Sequence, residues 1–294
     1  MNPFHIEANA KINLGLDVLQ RLPDGYHRVR MIMQSISLSD ELLMSRTESG
    51  IRITTNLKAL PTDERNLVYK AVKMMFATYG IDAGVHIHIE KRIPMAAGLA
   101  GGSTDAAAAM KGIRHIFGLD IPLSKLMEDG ASLGADVPFC LMGGTALAEG
   151  IGEKLTPLPP MPPCHILVAT PAVEVSTKYV YEHLDLPGLA GHPDIASLAQ
   201  AIREGNMDGI LPHMENVLET VAVPAYPVIN DMKAEMTKLG AAKSLMSGSG
   251  PTVFGIFPDS AAPPGDDMAR AALKRLGDEC PARHISYAVP VRHL

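Results

Sequence analysis

Apolar and polar residues alternate without interruption along residues 5–19 of the chain. One face of the pattern is hydrophobic, and the other carries mostly polar side chains that include Lys11 and Asn13. A period of two over this length predicts a long strand with one buried face. The hydrophobic members of the pattern are Ile6, Ala8, Ala10, Ile12, Leu14, Leu16 and Val18.

A turn and two further strand patterns follow this first strand. The sequence PDGY at 23–26 is a turn signal, and residues 28–39 then predict a second strand. Segments 41–46 and 51–55 are separated by Ser49-Gly50, a spacing that predicts a hairpin.

Helical spacing begins in the segment 64–79, where apolar residues recur on one side until Gly80 ends the pattern. Further elements of the first half follow from the same periodicities. They are a strand at 85–91, helices near 103–117 and 123–133, and strands within 144–156.

The proline-rich sequence LPPMPP at 158–163 is typical of a linker. Strands and helices on both sides of it are interspersed without regular βαβ alternation, so the chain predicts an α+β fold with two lobes that divide near residue 158. The strands predicted after the linker lie at 165–170, 243–247, 252–257 and 284–289. The predicted helices are one near 176–184, several more between there and about residue 239, and one at 266–276.

The segment 94–110, PMAAGLAGGSTDAAAAM, places glycines directly before an alanine-rich helix. Glycines at 98, 101 and 102 let the backbone approach a ligand, and a helix N-terminus offers unpaired N–H groups, so the segment predicts a phosphate site. Ser103 or Thr104 is expected to cap the helix or to contact phosphate. The loop matches neither the P-loop nor the dinucleotide fingerprint, and a tight turn packed in the core is the alternative interpretation.

Composition narrows the function classes. The chain has 294 residues and a net charge of -6, which gives no indication of nucleic-acid binding. Cys140, Cys164 and Cys280 are far apart, which argues against a disulfide scaffold or a zinc site and fits the cytoplasm. We see neither a signal-peptide pattern nor a membrane-spanning stretch, so no membrane partner is expected.

The glycine segment and the small-residue sequence LMSGSGPTVFG at 245–255 resemble two signatures of the GHMP kinases, in order and at the family's separation. Residues 8–27 and 134–153 are similar to the branch of that family that phosphorylates a CDP-linked methylerythritol. The resemblance covers the chain from Ala8 to about Gly255. One departure is that alanines occupy positions 96, 97 and 100, where the family loop is usually richer in glycine.

The resemblance implies a two-lobed fold. An N-terminal ATP-binding lobe with a ribosomal-protein-S5-like sheet and helices would span residues 1–157, and a C-terminal lobe with a ferredoxin-like α/β sandwich would span 158–294. The implied reaction is ATP-dependent phosphorylation of the 2-hydroxyl of 4-diphosphocytidyl-2-C-methyl-D-erythritol in the non-mevalonate route to isoprenoid precursors. Mg²⁺ is implied with ATP, and the expected oligomeric state is a monomer or a weak homodimer.

The resemblance also assigns roles to residues. Asp136 would be the general base that faces the acceptor hydroxyl, and Lys11 would stabilise that carboxylate and the developing alkoxide. The ATP-binding residues would be Asn66 near adenine together with Pro94, Met95, Ala96, Ala97, Gly98, Leu99, Ala100, Gly101, Gly102, Ser103 and Thr104. For Asn66, a helix cap is the alternative interpretation.

On the acceptor side, Tyr26 and Tyr181 would stack on both faces of the cytosine while His27 bonds its edge. Asn13 would bond substrate hydroxyls or phosphate. The loop residues expected to face the substrate are Gly248, Ser249 and Gly250.

The sequence leaves two other functions open and contains one pattern with metal-ligand spacing. A GHMP kinase of the homoserine or mevalonate type lacks a cytosine-bearing acceptor, and a nucleotide-binding regulator lacks turnover. His86, His88 and Glu90 share a strand face with metal-ligand spacing, but such alternation is common on half-exposed strands and we expect no metal there.

Overall fold

The structure is a computed structural model that describes residues 3–260, 264–279 and 282–292. Its elements confirm the predicted α+β class. The strands are β1 (Phe4–Arg21), β2 (His27–Thr47), β3 (Gly50–Thr55), β4 (Gly84–Glu90), β5 (Thr145–Gly150), β6 (Lys154–Leu158), β7 (Cys164–Pro171), β8 (Lys243–Met246), β9 (Val253–Pro258) and β10 (Ala282–Ala288). The helices are α1 (Leu67–Tyr79), α2 (Gly101–Ile116), α3 (Leu123–Ala131), α4 (Val137–Met142), α5 (Thr177–Glu182), α6 (Ile195–Arg203), α7 (Met207–His213), α8 (Glu219–Ala225), α9 (Val228–Lys238) and α10 (Gly265–Glu279).

The long alternating strand predicted from the sequence is present as β1. Its apolar residues from Ala8 to Val18 are buried as expected, but the opposite face is buried too: Lys11, Asn13 and Asp17 each expose 5% or less. The expectation of one buried face is therefore wrong over the middle of the strand, because other parts of the chain cover the polar face. A Cβ at Gly15, which lies on this face, would lie 2.7 Å from Leu198 Cδ2 and 2.8 Å from Ile195 Cδ1.

The chain divides into two compact units, each made of discontinuous segments. The first unit contains Met1–Ala10, Ser39–Met95 and Ala100–Met142, and the second contains Lys11–Leu38, Ala96–Leu99 and Gly143–Leu294. Strands β1 and β2 contribute residues to both. The predicted lobes, 1–157 and 158–294, are continuous in sequence, and the boundary between them stays a prediction.

In the first unit, one strand pairing differs from the prediction. The hairpin expected between 41–46 and 51–55 is wrong, because β4 lies between the two segments: residues 41–47 of β2 pair antiparallel with β4, and β3 pairs parallel with it. Val85, Ile87 and Ile89 of β4 are fully buried. Burial of that apolar strand between two neighbours outweighs the local hairpin signal, since each buried aliphatic side chain stabilises the fold by about 1.5–3 kcal/mol.

Helix α1 of the first unit begins and ends where local chemistry indicates. The Asn66 side chain accepts the N–H of Val68 and caps α1, and Gly80 ends the helix in the left-handed conformation. The alanine run of α2 is fully or almost fully buried, and α1 and α4 pack on this helix. Methyl side chains let the neighbouring helices approach closely.

The second unit contains a four-stranded antiparallel sheet in the order β10-β7-β9-β8, with α9 and α10 packed against it. Residues 29–34 of β2 pair with β5, and β5 pairs with β6. Phe254 and Phe257 of β9 are fully buried and belong to the core of this unit.

Among the described residues, no helix is long and apolar enough to cross a membrane. Cys140 and Cys164 are buried, and burial, with the charge of Asp259, raises the pKa of the Cys164 thiol to about 12. Cys280 lies outside the described residues.

Candidate active site

Lys11 and Asn13 share the polar face of β1, as predicted, and their side chains are in contact. In the second unit, the Lys11 Nζ donates to Asn13 Oδ1 at 2.7 Å and to the carbonyl oxygen of Gly98 at 3.0 Å. An ammonium has three donors, and these contacts account for two of them. The alternating strand therefore delivers a buried cation to the turn that contains Gly98.

The two glycine-rich turns meet at this cation. Gly98 has a φ of 75°, and a Cβ there would lie 2.2 Å from the carbonyl oxygen of Ser247. At Gly248, which has a φ of 57°, a Cβ would lie 3.4 Å from the Lys11 Nζ. The Ser247 hydroxyl donates to the Gly98 carbonyl at 2.9 Å. The backbone conformation at both positions favours glycine, and the close backbone approach at position 98 also requires it.

Asn216 holds the turn at 246–250 from the other side. Its Nδ2 donates to the carbonyls of Met246 and Gly248, both at 2.8 Å, and its Oδ1 accepts the N–H of Leu218. Glu219 accepts the N–H of Met246 at 2.7 Å. Sequence patterns give no sign of Asn216 and Glu219, because the backbone groups of the turn that they bond lie about 30 positions away.

His27 and Tyr181 come together in the second unit, with ring centroids 5.1 Å apart and planes tilted by 42°. The pKa of His27 is lowered from its usual value by burial and then by the charge of Arg21. Tyr26 is 59% exposed. The structure thus supplies a neutral, largely buried imidazole beside one aromatic ring and an exposed phenol ring one residue before it.

The turn at 246–250 also connects to α5, the helix that carries Tyr181. The Thr177 and Ser249 hydroxyls form a hydrogen bond of 2.8 Å. This contact ties the first residue of α5 to the middle of the turn, and sequence periodicity gave no signal for it.

The start of α2 lies in the first unit and differs from the prediction. The helix begins at Gly101, and the residue at its N-cap position is Ala100, whose methyl group accepts no hydrogen bond. The expectation that Ser103 or Thr104 caps the helix is therefore wrong. The Thr104 hydroxyl donates to the carbonyl of Asn9 at 2.7 Å, while Ser103 is partly exposed.

Asn66 and Asp136 are the other predicted site residues of the first unit. Both ends of the Asn66 amide are engaged, since Oδ1 accepts from Val68 and Nδ2 donates to the carbonyl of Pro61 at 2.6 Å. Asp136 is partly exposed and directly precedes α4, where its carbonyl accepts the N–H of Cys140 at 3.0 Å. The cap role of Asn66 is confirmed, and its contact with adenine stays a prediction.

Three comparisons with known proteins match this chain along most of its length. The GHMP kinases N terminal domain matches residues 66–144, and the GHMP kinases C terminal domain matches residues 192–276. A protein of Lachnospira eligens named 4-diphosphocytidyl-2-C-methyl-D-erythritol kinase is 54% identical over 88% of this chain and 90% of its own. The chain belongs to the GHMP kinase family.

Solved structures agree with this family. A crystal structure of 4-(cytidine 5'-diphospho)-2C-methyl-D-erythritol kinase has a TM-score of 0.83 at 32% identity, and the match covers 98% of this chain and 99% of that one. A homoserine kinase from Cytophaga hutchinsonii has a TM-score of 0.78 at 21% identity over 100% of this chain and 96% of that one, and so shares the fold. The two-lobed fold of the GHMP kinases is thus confirmed.

The GHMP kinase domains include the predicted phosphate loop, Asp136 and the turn at 246–250. Lys11, Asn13 and His27 lie before the N terminal domain begins. The alternating strand pattern had already indicated Lys11 and Asn13.

In this GHMP kinase the histidines of β4 bond a threonine. His86 Nε2 and His88 Nδ1 each lie 3.0 Å from the Thr54 Oγ1, and Glu90 Oε2 lies 3.5 Å from His88 Nε2. Among the described residues, no group of three or more His, Cys, Asp and Glu side chains is arranged to hold a metal ion.

Proposed function

We propose that this GHMP kinase transfers the terminal phosphoryl group of ATP to the 2-hydroxyl of 4-diphosphocytidyl-2-C-methyl-D-erythritol. The products are ADP and the 2-phosphate, an intermediate of the non-mevalonate route to isoprenoid precursors. The observation that carries the proposal is the buried Lys11 ammonium, fixed by Asn13 at the junction of the two glycine turns. Relatives about 50% identical over most of the chain carry the name of this kinase.

The start of α2 is the proposed phosphate site. A helix of 16 residues presents unpaired N–H groups and a partial positive charge at its first turn, and both favour phosphate. The residues proposed to surround ATP are Asn66 and the segment 94–104.

Mg²⁺ is the proposed metal partner of ATP. In kinases this ion neutralises the charge that develops on the phosphates. It usually keeps several waters and is held mainly by substrate phosphates, and the partly exposed Ser103 hydroxyl in the first turn of α2 fits the small protein share that such an ion needs.

Asp136 is the proposed general base. A carboxylate within about 3 Å of the acceptor hydroxyl could take its proton as the bond to phosphorus forms. Lys11 is proposed to stabilise the developing alkoxide, and Asn13 to keep the Lys11 ammonium in place and to bond the substrate. Because Lys11 is buried, its electrostatic stabilisation of the alkoxide would be stronger than in water.

Recognition of cytosine is proposed for Tyr26, His27 and Tyr181. His27 and Tyr181 are already neighbours, and an imidazole that stays neutral at pH 7 has one donor and one acceptor nitrogen for a base edge. Gly248, Ser249 and Gly250 are proposed to face the rest of the acceptor through their backbone. The cytoplasm stays the predicted compartment because the reaction consumes ATP.

The test is ADP release from ATP with a panel of alcohols: the CDP-linked methylerythritol, homoserine and mevalonate. We expect turnover with the first only. Asp136→Asn should lower kcat by about 10²–10⁴-fold while ATP still binds, because the amide cannot accept the proton. Asp120→Asn, at an exposed position, is the control and should match the wild type.

Turnover with homoserine or mevalonate instead would assign another GHMP reaction. ATP binding without turnover on any alcohol would indicate a regulator.

A further inference from the structure

Three charged side chains are buried together in the first unit, outside the residues assigned above. Lys91, Asp40 and Asp105 each expose 3% or less of their side chains. The Lys91 Nζ lies 2.8 Å from Asp105 Oδ2 and also contacts Asp40 Oδ2. We call these three residues the buried triad.

Asp40 fixes the backbone just before the glycine segment. Its Oδ1 accepts the N–H of Arg92 at 2.5 Å and the N–H of Ile93 at 2.8 Å. One carboxylate on β2 therefore determines where the chain leaves β4 and turns toward Pro94.

Asp105 and Gly101 place the other end of the segment against the same ammonium. Asp105 lies on α2, four residues after the first residue of that helix. A Cβ at Gly101 would lie 2.9 Å from the Lys91 Nζ. The lysine thus passes directly beneath the first turn of α2, and glycine at 101 leaves the room for it.

The charge balance of the buried triad indicates that stability alone does not explain it. Two carboxylates face one ammonium, and burial above all, opposed by Lys91 and reinforced by Asp40, raises the pKa of Asp105 well above its usual value. Within the described residues, Asp105 Oδ1 is a buried oxygen without a hydrogen-bond partner. Buried ion clusters often contribute no net stability compared with packed apolar side chains.

We propose that the buried triad is a brace for the loop at residues 94–100, the part of the glycine segment that precedes α2. The brace fixes both ends of this loop in the shape that binds the phosphates of ATP. Lys91 is then a positioning residue, because its Nζ contacts both Asp40, which accepts the N–H groups of Arg92 and Ile93, and Asp105 on α2. This inference rests on the proposed role of the segment in ATP binding. A loop with fixed ends loses less freedom when the nucleotide binds, so its affinity is higher.

The kinetic experiment uses the full chain and three brace variants. Asp105→Leu leaves Lys91 paired one to one with Asp40, so a folded protein is expected. Lys91→Met removes the shared ammonium, and Asp105→Asn keeps an acceptor of the same shape for Lys91. Tyr79→Phe is the control, because it loses the 2.5 Å hydrogen bond to Asp129 on α3 without touching the buried triad.

We expect Asp105→Leu and Lys91→Met to raise the KM for ATP about tenfold and to change the KM for the acceptor less than about twofold. Asp105→Asn should stay within about threefold of the wild type for both substrates. Tyr79→Phe should leave both KM values unchanged. A merely structural role would raise both constants together or neither.

Limited trypsin digestion without nucleotide tests the brace independently of turnover. The Arg92 side chain is 48% exposed, and cleavage after it cuts the chain at the start of the segment. We expect Asp105→Leu to speed this cleavage about tenfold relative to cleavage after Lys238 on α9, since the freed segment opens locally. Tyr79→Phe should not change the ratio.

An unchanged ratio together with an unchanged KM for ATP in Asp105→Leu would overturn the brace. If the wild type shows no turnover, the proposed function fails, and the cleavage ratio together with ATP affinity from calorimetry still decides about the brace.

Discussion

Ala96 and Ala100 adopt left-handed backbone conformations, with φ of 52° and 57°. This conformation costs a residue with a Cβ about 1–2 kcal/mol relative to glycine. Two of the three alanines that depart from the glycine-rich family pattern, Ala96 and Ala100, are therefore strained positions within the proposed phosphate loop.

Ala100→Gly should consequently leave the free energy of unfolding unchanged or raise it by up to about 1 kcal/mol, because relief of strain offsets the added freedom of the unfolded chain. Ala271→Gly, at an exposed position inside α10, is the matched control and should lose about 1 kcal/mol. Urea unfolding of both variants measures the contrast. Equal losses would show that position 100 is not strained.

His27 predicts a pH dependence of stability. Because its pKa in the folded protein is lowered from 6.5, the unfolded chain binds a proton at a higher pH than the folded protein does. Stability is therefore unaffected well above 6.5 and is lost as the pH falls through 6.5 toward the lowered pKa.

The His27→Gln variant should lose less unfolding free energy than the wild type when the pH is lowered from about 8 to about 5.5. His183→Gln, at an exposed histidine that stacks on Tyr179, serves as the control for the removal of an imidazole. Denaturant unfolding at both pH values gives the comparison. A His27→Gln loss as large as that of the wild type would contradict the assignment.

At the scale of elements, the turn between β8 and β9 depends on a side chain from the segment before α8. Asn216→Ala removes the donor to two buried carbonyls, which costs about 1–3 kcal/mol of stability. We expect the KM for the acceptor to rise about tenfold, because Gly248 shifts relative to Lys11, with a smaller change for ATP. Steady-state kinetics with each substrate varied separately measures both.

Asn206→Ala is the control for this prediction. It removes the N-cap of α7 and costs about 1 kcal/mol, but it does not touch the turn. Its KM values should equal those of the wild type. An acceptor KM that rises equally in both variants would show that lost stability, and not the position of the turn, is responsible.

At the scale of the whole molecule, substrate binding should appear as added stability. Saturation at about 100 times Kd raises the unfolding free energy by about 2.7 kcal/mol. Tyr26 is exposed in the free protein, so Tyr26→Ala should change the free protein by less than about 0.5 kcal/mol. It should nevertheless reduce the stabilisation by the CDP-linked acceptor by about 1–2 kcal/mol through lost stacking.

Tyr179→Ala, on the same helix as Tyr181 and stacked on His183, is the matched control and should keep the full stabilisation. Thermal unfolding with and without acceptor provides the measurement. If Tyr26→Ala keeps the full stabilisation, the cytosine does not stack on Tyr26.

The amino-acid sequence by itself determined the features that depend on neighbours along the chain. Alternation gave β1 and placed Lys11 and Asn13 on one face, and the 3.6-residue period gave α1 and its end at Gly80, while Asn66 was left open between a helix cap and an adenine contact. These features follow from backbone periods and local hydrogen bonds, which a window of a few residues contains.

Only the tertiary structure decided which distant segments meet. Burial of the polar face of β1, the place of β4 between β2 and β3, the approach of Gly98 to Ser247 and the triad of Lys91, Asp40 and Asp105 all join residues far apart in sequence. No local period encodes such contacts, because they depend on how apolar surfaces pack and on which buried polar groups must find partners.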